Sequence, residues 1–245
     1  MYTNQIKTYL QRHHYDRIDL RAVLFDMDGV LFNSMPNHAQ AWHEAMKLYG
    51  MHLSREEAYL HEGRTGAATI NLVSRRERGT DATPEEIDRI YHTKTELFNA
   101  LPRAGRMPGA AELIAQLKQE GLTIMVVTGS GQASLLERLN RNYPDTFRAD
   151  LMVTAYDVRH GKPSPEPYLM ALQKGGLNPW EAVVVENAPM GVEAGVAAGI
   201  FTIAVNTGPL PDSTLLDAGA NVLFPSMTAL SEGWRDLRQS LESTH

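Results

Sequence analysis

The sequence predicts an α/β fold, a doubly wound parallel sheet with a helical insertion after its first strand. Three observations support this. Short apolar runs recur at Ala22–Phe25 (inside Arg21-Ala22-Val23-Leu24-Phe25-Asp26), Leu122–Val127, Leu151–Val153, Ala182–Val185 and Ile200–Val205. Such runs suit strands buried on both faces. Helical segments separate most of them, the alternation that gives parallel strands with right-handed crossovers. From Ser34 to about residue 105, by contrast, the chain reads as helix after helix with little strand signal.

Residues 1–19 form an N-terminal extension in which Ile6, Tyr9 and Leu10 suit either one short surface-packed helix or a frayed end; no function is assigned to it. The core comprises 20–33 and 106–245. The insertion, 34–105, carries two capping-box patterns, Ser54-Arg55-Glu56-Glu57 and Thr83-Pro84-Glu85-Glu86, the second with proline at the first helical position. The Pro/Gly-rich stretch from Leu101 to Gly109 returns the chain to the sheet, and Pro108 is placed to open the next helix. An insertion after the first strand sits over the carboxyl ends of the sheet, where open α/β folds bind ligands, so 34–105 is read as a cap.

Composition narrows the functional classes. The 245 residues include no cysteine, which excludes disulfides and thiol chemistry and fits a reducing compartment. A formal charge of −6 argues against a broad nucleic-acid surface. No run approaches the roughly 18 apolar residues of a membrane span. The first twenty residues lack a signal peptide's apolar stretch, so a cytoplasmic protein is expected, a monomer or weak homo-oligomer that meets neither nucleic acid nor membrane.

The first strand delivers Asp26-Met27-Asp28-Gly29-Val30. Two acids at i and i+2 suit an Asx turn equally well. If the chain leaves the extended conformation after Asp26, both can point into one crevice, one to attack phosphorus and the other to move a proton. Thr128-Gly129-Ser130-Gly131 offers a hydroxyl and backbone amides before a helix, an oxyanion cradle. Gly161-Lys162-Pro163 sets an ammonium in a stiff loop, a weak signal alone. Glu186-Asn187 ends another strand with oxygens suited to a hard cation such as Mg²⁺. Gly191, Gly195 and Gly199 suit close packing of the next helix on the sheet.

Taken in order, Asp26-Met27-Asp28-Gly29-Val30, Thr128, Lys162-Pro163 and the run from Glu186 to Gly199 resemble the four motifs of the haloacid dehalogenase (HAD) superfamily. The insertion's position resembles the β-phosphoglucomutase-like branch, and the likeness covers nearly all of the chain after residue 20. It implies a Rossmann-like core with a small helical cap and Mg²⁺-dependent phosphoryl transfer. By the same resemblance, Asp26 is the nucleophile, Asp28 the general acid/base, Thr128 a phosphate-binding hydroxyl and Lys162 the charge-offsetting lysine. Mg²⁺ would be held by the Asp26 carboxylate, the Asp28 carbonyl and the Glu186–Asn187 pair, with Gly129 and Ser130 beside the phosphate.

Departures from the family pattern sharpen the expectation. Asn33-Ser34 replaces the usual Asp-Ser, a change of little weight. Asn187 stands where the family has Asp, leaving the metal pole one negative charge short. Glu62, in the cap loop His61-Glu62-Gly63-Arg64-Thr65-Gly66, can supply that charge, where phosphoglucomutases resemble this loop but carry Lys in place of Glu62 and Arg in place of Gly66. A cap tied to Mg²⁺ through Glu62 would shut and shrink the cavity, so a small leaving group is expected. These features resemble an inorganic pyrophosphatase offshoot of the branch. In that reading Lys94 and Arg64 meet the second phosphate and His38 polarises Asp28, although a solvated helix face and plain packing also suit Lys94 and His38. Trp42 and Met46 read as cap core, and His13-His14 as surface. A small sugar-phosphate phosphatase, a β-phosphoglucomutase and a non-catalytic phosphate sensor are the alternatives; intact Asp26, Asp28, Thr128 and Lys162 weigh against the last.

Overall fold

The computed structural model describes residues 2–130 and 135–244. In chain order these form α1 (Thr3–His13), β1 (Ala22–Phe25), α2 (Met35–Leu48), α3 (Arg55–Leu60), α4 (Gly66–Arg78), α5 (Pro84–Ala100), α6 (Ala110–Gln119), β2 (Thr123–Val127), α7 (Leu135–Asn142), β3 (Met152–Val153), α8 (Glu166–Gly175), β4 (Ala182–Glu186), α9 (Pro189–Ala197), β5 (Phe201–Val205), α10 (Asp212–Asp217), β6 (Val222–Phe224) and α11 (Met227–Ser243).

The strands make one parallel sheet in the order β3-β2-β1-β4-β5-β6. The chain runs outward from β1 through β2 to β3, then crosses back to β4 on the other side of β1. The carboxyl ends of β1 and β4 therefore flank the switch point, where open α/β sheets hold ligands. Alternate residues of β1 serve opposite faces. Val23 and Phe25 join the cluster containing Leu113, Trp234 and Leu237, while Ala22 and Leu24 join the one containing Tyr168, Ala194 and Ile200. The five expected strands form; β6 was not foreseen, because three apolar residues ahead of Pro225 are too short a run to stand out.

Helices α2 to α5 bury a cluster of their own, with Met46, Leu53, Ile70, Val73 and Ile90 at its centre. Both capping boxes close: the Ser54 and Thr83 hydroxyls accept from the Glu57 and Glu86 amides, and the two glutamates accept in return from the Ser54 and Thr83 amides. Pro108 does not open the following helix; α6 begins at Ala110 with Gly109 as its N-cap. At the amino end, the helical alternative is the one that forms. α1 buries Ile6, Tyr9 and Leu10, and the Tyr9 hydroxyl donates to the Gly199 carbonyl at 2.9 Å. His14 is exposed, whereas His13 is half-buried and stacks on Tyr15. Among the described residues no helix is long and apolar enough to cross a membrane.

Candidate active site

Asp26 and Asp28 follow β1 directly, and the turn after them depends on Gly29. This residue has φ +83°, and a Cβ there would lie 2.1 Å from the Asn187 amide nitrogen. A side chain would thus be strained and would displace Asn187. Asp26 is buried, its Oδ1 accepting from Lys162 Nζ at 2.5 Å. Lys162 Nζ also donates to Glu186 Oε1 at 2.5 Å and to the Val127 carbonyl at 3.1 Å. The lysine from the loop after β3 thereby joins the ends of β1, β2 and β4. Burial, then the Glu186 charge, raises the Asp26 pKa, with Lys162 opposing the rise.

Glu186 departs from the expected role. Its Oε1 accepts from Lys162 and from the Tyr168 hydroxyl at 2.7 Å, and its Oε2 accepts from the Asn187 and Ala188 amides at 3.1 and 3.3 Å. Four protein donors satisfy both oxygens, so in this arrangement Glu186 is taken up in holding Lys162 rather than a metal ion. Gly191 makes room for it, since a Cβ there would lie 1.9 Å from Oε1.

Asp28 accepts from Ser34 Oγ, and His38 Nε2 lies 3.5 Å from the same carboxylate oxygen. Burial alone would raise the Asp28 pKa, but His38, Ser34 and Arg138 outweigh it and hold the carboxyl below the usual range. Lys94 Nζ lies 2.9 Å from His38 Nδ1, so with the ammonium as donor the Nε2–H faces Asp28. The phosphate cradle is only partly as expected. The Thr128 hydroxyl accepts the Ser130 amide at 3.1 Å, so that amide is not free. Gly129 and Ser130 do line the cavity, while Gly131 lies outside the described residues.

The cap comes down on this floor through the loop 61–66. Glu62 Oε2 accepts from Asn187 Nδ2 at 2.9 Å, and the two atoms left over, Glu62 Oε1 and Asn187 Oδ1, are buried without a partner. Burial, and then the charges of Asp26, Glu186 and Asp28, raise the Glu62 pKa well above its usual value. Orphaned buried oxygens beside excess carboxylate are what a hard cation would relieve. Among the described residues no three His, Asp or Glu side chains form a metal site alone. The oxygens that fit Mg²⁺ are mixed: the Asp26 and Glu62 carboxylates, the Asn187 amide oxygen and the Asp28 carbonyl.

The cavity between cap and core measures about 540 Å³, and Asp26, Asp28, Glu62, Arg64, Lys94 and Thr128 all border it. Glu62 closes the floor of this cavity and leaves its walls open. Trp42 also departs from expectation: it borders the cavity and packs partly on the cap cluster, whereas Met46 is wholly core. Lys94 is buried, with its ammonium 5.4 Å from the Trp42 ring and 5.0 Å from the Phe98 ring, and it has no carboxylate partner among the described residues. Desolvation lowers its pKa to about 8, with Asp28 opposing. Arg64 Nε is buried without an acceptor. Gly66 underlies Tyr91, whose ring would lie 2.3 Å from a Cβ at 66. Arg138 on α7 borders the cavity too, and no motif in the sequence marks it.

Residues 23–205 match the family described as haloacid dehalogenase-like hydrolase. The chain belongs to this family. Among its relatives, hexitol phosphatase A of Escherichia coli (strain K12) is 33% identical over 76% of this chain and 83% of its own length. The phosphorylated carbohydrates phosphatase of Thermotoga maritima is 31% identical over 83% of this chain and 94% of its own. Among solved structures, a provisionally named β-phosphoglucomutase from Bacteroides vulgatus is 65% identical, with a TM-score of 0.96 over 99% of this chain and 98% of that one.

Proposed function

We propose that this HAD-family chain is a Mg²⁺-dependent phosphohydrolase that works through an aspartyl phosphate on Asp26, and that its substrate is inorganic pyrophosphate. The Asp26 carboxylate attacks phosphorus, forming a new O–P bond as the bond to the leaving oxygen breaks. Lys162, already within 2.5 Å of Asp26, offsets the charge that gathers there. Asp28, which Ser34 and His38 hold ionised in the free site, takes up a proton as the anionic substrate binds and gives it to the leaving oxygen. It then takes one from the water that attacks the aspartyl phosphate and breaks the bond to Asp26. Bound Mg²⁺, held by Asp26, the Asp28 carbonyl, Asn187 and Glu62, would polarise the phosphoryl oxygens and draw negative charge from them.

The single observation that carries the substrate is Lys94. A buried ammonium without a carboxylate partner, on a cavity wall shared with Asp26 and Asp28, calls for an anion. The phosphoryl group under attack has Lys162, so the anion on the cap side is the leaving group. Pyrophosphate leaves as phosphate and needs cations more than room; the unpaired Arg64 Nε supports the same reading.

A second reading, a phosphatase for small phosphorylated carbohydrates, is favoured by a different observation. The cavity of about 540 Å³, walled by Trp42, Tyr91 and Phe98, has the space and the apolar faces a sugar would use, and the relatives from E. coli and T. maritima are named for such substrates. Phosphate release with Mg²⁺ decides between them, comparing pyrophosphate with hexose, pentose and hexitol phosphates and using Asp26→Asn as blank. A preference for pyrophosphate above about a hundredfold in kcat/KM, roughly 2.7 kcal/mol, supports the first reading. A preference for a sugar phosphate overturns it in favour of the second.

A further inference from the structure

We infer that Arg138 is a specificity-determining residue, the core-side contact for a second anionic group on the substrate. This rests on the reading of the chain as a phosphohydrolase and extends it by naming how the core, as well as the cap, selects for charge.

Arg138 lies on α7, one turn ahead of Asn142, whose side-chain amide donates to its backbone carbonyl. Its guanidinium rests 3.9 Å from the centroid of Phe32, which is fully buried and meets Tyr143 edge-on. The ring fixes one face of the guanidinium, and its edge carries five N–H donors in a planar fork. Among the described residues none of these donors has an acceptor and no carboxylate pairs with the group. This sets it apart from Arg75, Arg76, Arg78, Arg141, Arg148 and Arg238, which all pair with Asp or Glu. Those arginines knit the surface together; Arg138 borders the cavity, together with Asp28, His38, Lys94 and Ser130. Asp28 lies near enough for its charge to be influenced by Arg138, yet the two form no ion pair. An arginine fixed on one face by an aromatic ring and left with a free fork is suited to bidentate contact with a phosphate or carboxylate. Lys94 reaches the same space from the cap, so a second anion held between them would be gripped from both walls.

The test uses the full-length enzyme with Mg²⁺ and two variants, Arg138→Gln and Arg138→Lys. Each is assayed on substrate pairs that differ by one anionic group: pyrophosphate against p-nitrophenyl phosphate, and a sugar bisphosphate against the matching monophosphate. Arg138→Gln is expected to lower kcat/KM for the doubly anionic member at least tenfold more than for the singly anionic one, mainly through KM. Arg138→Lys, which keeps the charge but not the fork, should recover part of that difference. Binding of methylenediphosphonate, measured by calorimetry, should weaken in parallel. Equal losses on both members would mark Arg138 as structural and overturn the inference, as would no loss on either. If the wild type ignores pyrophosphate, the proposed substrate fails, while the bisphosphate pair still decides the role of Arg138.

Discussion

The floor of the cavity and its cap wall are built on opposite principles. On the floor every charge is answered: Lys162 has three acceptors, Glu186 has four donors, and Asp26 takes its share of the lysine. On the cap wall the groups stand open. Glu62 Oε1 and Arg64 Nε have no partner, and Lys94 leans on rings and a neutral imidazole. A buried donor left unmet costs about 1–3 kcal/mol, more if charged, so a set of them in one cavity is costly unless a ligand completes it. The floor is a preorganised chemical device; the wall is half of a binding site. Chemistry common to a family therefore resides in the floor, and substrate choice in the cap wall together with Arg138, which faces it from α7.

The sharpest way to break that contrast is at Glu62, where wall meets floor. Glu62→Gln keeps the shape and a carbonyl oxygen to accept from Asn187 Nδ2 but removes the charge. Mg²⁺ affinity is expected to fall at least about tenfold, since altering even a partner that only orients a metal ligand costs roughly tenfold to a hundredfold and Glu62 would ligate directly. The rise in melting temperature that Mg²⁺ gives the wild type should shrink accordingly. An undiminished Mg²⁺ shift in the variant would detach Glu62 from the metal and leave its meeting with Asn187 as mere packing.

A smaller effect is expected beneath the floor. The Tyr168 hydroxyl is the donor that fixes Glu186 from below, and Glu186 in turn fixes Lys162. Tyr168→Phe removes one hydrogen bond to a charged group, worth about 1.5–3 kcal/mol. If that bond positions Lys162, kcat should fall about tenfold with KM unchanged. A lower melting temperature with unaltered kcat would confine the tyrosine to a structural part.

How much of this was legible in the sequence follows the same division. Lys162, in the loop after β3, was legible only through its place in the ordered motifs. Asp26, Asp28 and Thr128 follow strand ends, and apolar runs ending in polar residues advertise strand ends. The capping boxes did the same for the cap helices. Glu186 misled because its neighbour Asn187 and its position do not reveal that Tyr168, on α8, would claim its oxygen. Arg138 was passed over, and Trp42 read as cap core, because facing a cavity is a tertiary property: a helix period says which residues share a face, not what lies opposite. The size of the cavity could not be read from Glu62 alone, since one closing contact fixes a floor and leaves the walls to the packing of α2 and α5. β6 escaped because its three residues gain their burial from β5, beside which they lie.

The mildest test concerns pH. Desolvation brings the Lys94 pKa down to about 8, so the ammonium is charged below that pH and loses its proton above it. If it meets an anionic leaving group, KM for pyrophosphate should rise several-fold as pH passes from about 7 to 9, while KM for a phosphate ester with a neutral leaving group stays level. The sign follows from the direction of the shift: an exposed lysine, titrating near 10.4, would show no such change in this window. Lys94→Met should flatten the rise by raising KM at all pH values. A rise that persists in Lys94→Met would belong to another group, and the cap wall would lose its claim to read the charge of the leaving group.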